Sequence, residues 1–275
     1  MKHWMLALLI TLCAVPHAQA QAQAQAQADP DLTAALAAAH RTPAFVARDG
    51  WRHPYETLTF FGLQPGMTVV EISPSGGWYT EILAPYLRQR GQLILAADDP
   101  ASIHAYYRRS AERLRAKLGA RPDLYSKVQV TVFEPPQQLQ LAPRGSADRV
   151  LTFRNVHNWA AEGEATVRAV FKAAFDSLKP GGVLGVVDHR LPADRVQDAK
   201  ASTGYVQVAY VQRLAESVGF KLDAVSDVNA NPRDTADHPG GVWALPPTFA
   251  NKAADRARYQ AIGESDRFTL RFVKP

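Results

Sequence analysis

A single cysteine, Cys13, is all the sequence holds. It lies within an apolar run near the start, so no disulfide can staple the rest of the chain, and a packed core has to supply the stability. Long apolar runs are missing too, since no stretch reaches the roughly 20 residues that a membrane-spanning helix needs. Charge of one sign is scarce: 31 Lys and Arg stand against 26 Asp and Glu, a formal charge of +5. These cations are scattered among acids instead of forming a basic stripe with interleaved aromatics, which argues against nucleic acid as a partner. No repeat of 20 to 50 residues is visible, which sets a solenoid aside. Neither H-x-x-x-H nor H-E-x-x-H occurs, so no metal site is assigned, although spacing cannot reveal a site assembled from distant strand ends.

What is present points to one globular core. At 275 residues and 47% hydrophobic content the chain can bury a full α/β domain. The opening "MKHWMLALLITLCAVPHAQA" has a basic tip, an apolar run and small residues at Ala18 and Ala20. That pattern predicts a secretory signal over 1–20 and an exported protein, periplasmic or secreted. A low-complexity "QAQAQAQA" tether occupies 21–30, and a single domain follows over 31–275.

From Met67 onward, short β-branched runs alternate with segments of helical period. Strands are expected near 67–72, 92–97, 127–133, 148–153, 182–188 and 220–226, and helices near 77–88, 101–118, 161–178 and 203–218. Such alternation predicts a doubly wound, Rossmann-like α/β fold with a mostly parallel sheet covered on both faces. One or two helices broken near Pro43 and Gly50 should precede it, and "RFTLRFVKP" at the end suits an edge strand.

The stretch "VVEISPSGGWYTEIL" (69–83) is the first strand-to-helix turn. In open parallel sheets ligands bind outside the carboxyl ends of the strands, beside this turn. Gly76 and Gly77 permit positive φ and close approach of backbone. Glu71 asks for a cationic or hydrogen-donating group. A dinucleotide's pyrophosphate gains nothing from that acid, and the strict G-x-G-x-x-G spacing is absent, so a nicotinamide enzyme is disfavoured. A zwitterionic amino-acid-like ligand fits better.

The same stretch resembles the first motif of class I S-adenosylmethionine-dependent methyltransferases, which runs acid, x, Gly, x, Gly, x, Gly. Glu71 stands for the acid and Gly77 for the last glycine, while Ser73 and Ser75 replace the other two. Further stretches follow in the family's order: "GQLILAADDP", "VTVFEPP", "ADRVLTFRNVHNW", "FDSLKPGGVLGVVDHR" and "LAESVGFKL". The chain also resembles a group of exported bacterial proteins taken to be methyltransferases. The resemblance implies a seven-stranded sheet and S-adenosyl-L-methionine as cofactor. It implies cofactor contacts at Glu71, Ser73, Ser75, Gly76, Gly77, Asp98 on the ribose, Glu134 near the adenine, and Arg154.

For the reacting end, His53, His157, His189 and His238 fall where a substrate pocket would open. A histidine can take a proton near neutral pH, and "RNVHNW" adds Asn155, Asn158 and Trp159 for orienting a small-molecule acceptor. His157, Asn155, His189 and His53 are the catalytic candidates. The alternative for a strand-end histidine is a structural role, with Asp188 a simple cap or the partner of Arg190, and Trp78 a packing residue. Asp49, Arg52 and His53 are read either as a lid or as an ordinary turn. The irregular segment 227–252 reads as a substrate-facing cover with Asn231, Asp234 and His238 turned inward, or as a loop pinned by Trp243. A non-catalytic module binding a nucleoside or amino-acid-like ligand is the alternative to an enzyme.

Overall fold

The computed structural model describes residues 29–275, so the expected signal and nearly all of the tether lie outside the described residues. Seven strands form one sheet: β1 (Thr68–Ile72), β2 (Gln92–Ala97), β3 (Gln129–Val132), β4 (Ala147–Phe153), β5 (Leu178–His189), β6 (Lys221–Ser226) and β7 (Arg267–Val273). Their spatial order is β3-β2-β1-β4-β5-β7-β6. Strands β1 to β5 pair in parallel, and β7 runs antiparallel to both β5 and β6. The doubly wound, mostly parallel sheet is thus as expected. The last strand is not: β7 lies inside the sheet and β6 takes the edge. Phe268, Leu270 and Phe272 are all fully buried, as an interior strand demands.

Four short helices open the described chain: α1 (Pro30–Ala37), α2 (Pro43–Val46), α3 (Asp49–Arg52) and α4 (Pro54–Phe60). The expected break at Gly50 falls instead at His53, whose left-handed φ of 39° separates α3 from α4. The sheet is then flanked by α5 (Thr80–Leu87), α6 (Ala105–Ala120), α7 (Pro122–Tyr125), α8 (Val156–Ala161), α9 (Glu164–Ser177), α10 (Val208–Glu216) and α11 (Arg256–Ile262). Among the described residues no helix is long and apolar enough to cross a membrane.

Side chains alternate between two cores because successive strand residues point to opposite faces. Val70, Ile72, Ile94, Val150, Leu184 and Val186 pack against α9 and α10 through Val167, Val170, Phe171 and Leu214. Val69, Leu93, Leu95 and Leu151 pack against α4 and α5 through Leu58, Ile82 and Leu83. On this second face Phe61 approaches so closely that a Cβ on Gly185 would lie 2.8 Å from its ring. Winding reverses between β1 and β4, the two neighbours in mid-sheet that lead to opposite edges. A crevice at their carboxyl ends follows from that topology.

Candidate functional site

A cavity of about 210 Å³ opens at this reversal. Its wall takes Glu71, Ser73 and Ser75 from the end of β1, and Phe153, Arg154 and Asn155 from the end of β4. It also takes His157 from α8, His189 from β5, Arg48 and Arg52 from the N-terminal helices, and Ser265 and Arg267 at the start of β7. A smaller cavity of about 60 Å³ adjoins it, lined by Asp98, Phe133, Glu134 and Trp159. Ser73, Ser75, Tyr106, Asn155 and Asn158 border both cavities and so form the neck between them.

The turn after β1 shows why glycines are expected there. Ser73 and Ser75 adopt φ of 49° and 51°, and Arg154 across the neck 64°. L residues enter this left-handed region at a cost of about 1 kcal/mol each. Gly77, at φ 76°, shares it, whereas Gly76 does not. A residue at that φ cannot be helical, which is why α5 begins at Thr80 and not at 77. Gly76 and Gly77 line neither cavity, so their part is to shape the turn.

Glu71 is 2% exposed and accepts one hydrogen bond, 2.7 Å from the Thr80 hydroxyl. Burial pushes its carboxyl up to about 7, against the opposing pull of that hydroxyl and of Lys117. Lys117 is itself paired with Glu81. Glu71 therefore presents a buried acid to the cavity without a cation bonded to it. In the smaller cavity burial, with Glu134 adding to it, also raises Asp98. Glu134 accepts a 2.5 Å bond from Ser102.

At the other wall Asp188 is wholly buried and accepts from His157 Nδ1 at 2.8 Å. It also takes the backbone N–H of His157 at 3.2 Å, in the first turn of α8, and that of His189 at 2.7 Å, at the end of β5. The bond to the His157 ring engages Nδ1 and turns Nε2 away from Asp188. Among the described residues the ring bonds protein through Nδ1 alone. Asp188 does not pair with Arg190, which bonds Asp227 at 2.8 Å and lies as an ion pair 3.5 Å from Asp266. His189 meets Ser265 Oγ at 2.5 Å. Burial pushes its pKa well below the ordinary value, with the nearby charges of Arg267, Arg154 and Arg52 acting in the same direction, so it is neutral. His157, Asp188 and His189 bring possible metal-ligating atoms within 4.8 Å of one another, the one such group among the described residues. The guanidiniums beside it repel a cation, and no metal is assigned.

Several expected residues go elsewhere. His53 lines neither cavity; it is the left-handed link between α3 and α4, and its Nδ1 is buried. Asn155 lines the neck, but its amide donates to Ile72 O and Thr152 Oγ1, both at 3.1 Å, and so ties β4 to β1. In the segment after β6, Asn231, Asp234 and His238 are buried but line neither cavity. Asp234 is the hub there, accepting from Tyr205 at 3.0 Å and meeting His238 Nε2 at 2.8 Å. The cover over the large cavity comes from Val242, Trp243 and Pro246 to Thr248. Trp243 is 37% exposed, with its ring 6.1 Å from that of His157, so it roofs the cavity more than it pins the loop. Trp78 is both packed and site-lining: its indole donates to Phe45 O at 3.0 Å, and Arg52 lies 4.7 Å over its ring.

Arg48, Arg267 and Glu264 have no counterpart among the sequence candidates. Both Glu264 oxygens are engaged by guanidiniums, from Arg48, Arg52 and Arg267. Burial works to raise the Glu264 carboxyl, but these three cations outweigh it and hold it well below the usual range. Burial, followed by Arg267, lowers Arg154 to about 10, so it stays charged. Ion pairs between residues more than 200 apart leave no periodic trace in sequence. An arginine at each of several strand and helix ends was the only signal.

No family model and no curated protein matches the sequence. Solved structures do match its fold. A SAM-dependent methyltransferase from Aquifex aeolicus aligns at 16% identity with a TM-score of 0.54, over 86% of this chain and 95% of that one. Phosphoethanolamine N-methyltransferase 2 of Haemonchus contortus, in complex with S-adenosyl-L-methionine, aligns at 15% identity and a TM-score of 0.51, over 82% and 53%. The [4+2]-cyclase SpnF aligns at 16% identity and a TM-score of 0.52, over 82% and 80%. The chain has the class I methyltransferase fold. A cyclase among the three shows that this fold does not by itself dictate the reaction.

Proposed function

We propose that the protein is an S-adenosylmethionine-dependent methyltransferase acting on a small acceptor outside the cytoplasm. The observation that carries this reading is Glu71, a buried carboxylate facing the cavity with one hydrogen bond and no cation bonded to it. Burying an acid without a partner is costly, and an ammonium arriving with a ligand removes the cost. The remaining donor set fits the same cofactor. Asp98 can accept two bonds from a ribose diol, Glu134 can accept from an adenine amine, and both line the smaller cavity joined to the first by the Ser73 and Ser75 neck. Bound across that neck, the cofactor would supply an electrophilic methyl group on sulfur.

The chain's own contribution is then positional and basic. His157 Nε2, freed by the Asp188 bond to Nδ1, takes the proton of the acceptor atom as that atom becomes nucleophilic. Asp188 holds the ring and stabilises the imidazolium that forms, while neutral His189 lines the same wall. Trp243 and the Pro246–Pro247 cover exclude water from the cavity. Export rests on the first twenty residues and belongs to the same reading.

A second reading, a binding module without catalysis, is favoured by Ser73 and Ser75, whose hydroxymethyl groups occupy a neck where the family has bare backbone. Titration calorimetry with S-adenosylmethionine and S-adenosylhomocysteine separates the two. Methyl transfer requires that both bind and that Glu71→Ala abolishes the heat. Silence from both ligands refutes it.

A further inference from the structure

The large cavity holds more positive charge than its acids can neutralise. Arg48, Arg52, Arg154 and Arg267 all line it, and the carboxylates on or behind its wall are Glu71, Glu264 and Asp188. Asp188 is spent on His157 and on two backbone N–H groups. Both oxygens of Glu264 are taken by Arg48, Arg52 and Arg267. Even so, Arg48 Nη2, Arg52 Nη2 and Arg267 Nε are buried without a hydrogen-bond partner, although the Arg52 and Arg267 side chains are only 4% and 3% exposed. Among the described residues the Arg154 guanidinium makes no hydrogen bond or ion pair at all, and its backbone is held in the left-handed region at φ 64°.

Unpaired buried guanidinium N–H groups are costly, and a strained cation kept in a cavity wall is a device for holding something. The methyl donor does not exhaust this charge. Its ammonium and sulfonium add two positive charges, its carboxylate subtracts one, and the cavity becomes more positive when it binds. The second ligand has to bring the compensating anion. Guanidinium groups match carboxylate and phosphate oxygens bidentately, so the anion is an oxyanion.

We infer that the acceptor is a small acid carrying a carboxylate or phosphate, recognised by the unpaired Arg154 guanidinium within the positive wall that Arg48, Arg52 and Arg267 complete, beside the protonatable atom that faces His157. This rests on the methyltransferase reading only in naming the anion as the acceptor's. The alternative source is the methyl donor's own carboxylate, and the two sources differ in whether the anion and the cofactor bind together.

The test is calorimetric titration of the full chain with inorganic phosphate and, separately, benzoate, each with and without saturating S-adenosylhomocysteine. At least one probe is expected to bind equally well or better when S-adenosylhomocysteine is present. Arg154→Gln should weaken that probe roughly 10- to 100-fold, and Arg154→Lys should weaken it less. Arg144→Gln, the same charge change at an 83% exposed side chain away from the cavity, should leave it unaltered. Thermal unfolding of the Arg154 variants confirms that they fold. Binding of neither probe overturns the inference, as does displacement of the probe by S-adenosylhomocysteine or an equal loss in Arg144→Gln. If the probes bind and S-adenosylhomocysteine does not, the anion site stands and the methyltransferase reading falls.

Discussion

Replacing Glu71 by Gln should make the protein more stable and disable its cofactor site. Folding moves the Glu71 carboxyl from its ordinary 4.5 to about 7, and each pH unit across that gap is worth ~1.4 kcal/mol. Ionised Glu71 therefore costs the folded chain about 3 kcal/mol once the pH exceeds 7. The sign follows from proton counting. Below 4.5 the group is protonated in both states and contributes nothing; between 4.5 and 7 the unfolded chain ionises while the folded chain keeps its proton, and stability drains away as pH rises. Gln keeps an oxygen for the Thr80 hydroxyl, which donates at 2.7 Å in the parent, and has no charge to bury. The variant should match the parent near pH 4 and exceed it by about 3 kcal/mol at pH 8, or roughly 6 to 12 °C in melting temperature for a domain of this size. Thermal unfolding of both proteins at pH 4, 6 and 8 measures this. Cofactor titration over the same range should show parent affinity climbing as pH passes 7, and a weak, flat profile in the variant. A Glu71→Gln protein that loses the same stability at every pH would refute the burial argument, and with it the claim that this acid awaits a cation.

Glu264→Gln should act in the opposite direction. Removing the one acid shared by Arg48, Arg52 and Arg267 leaves buried cations unpaired, at a cost of about 3 to 5 kcal/mol. Because its folded pKa is depressed, that contribution is present above 4.5 and disappears as pH falls through the folded value. Urea unfolding at pH 7 and at pH 3 reads the difference, and added phosphate should recover part of the loss at pH 7. His157→Gln should leave S-adenosylhomocysteine affinity within about threefold and lower turnover ~10²-fold or more on any accepted acid, read as S-adenosylhomocysteine released. Ser73→Gly should be near neutral for stability, since relief of the left-handed φ offsets the added freedom of the unfolded chain. Ser73→Val should cost more than ~1 kcal/mol because β-branched residues fit that region poorly. The Ser73→Gly, Ser75→Gly pair should open the neck and tighten cofactor binding in the same calorimetric assay.

The sequence alone determined the alternation of strands and helices, the parallel sheet, and the acid and glycine of the first turn. Each is a local pattern: burial on both faces writes apolar runs such as "TVVEI", and a turn needing left-handed backbone recruits Gly77. At two positions where the motif has glycine, Ser73 and Ser75 take the left-handed backbone that glycine favours. In sequence Asp188 read as a cap or as the partner of Arg190, and its bond to His157, 31 residues away, appears only when β5 and α8 are brought together. The place of β7 inside the sheet likewise depended on which strand found which neighbour. The arginine cluster was decided by tertiary structure alone. Arg48 and Glu264 stand 216 residues apart, and periodicity reports which face of an element is buried, not which distant charges that burial will bring into contact.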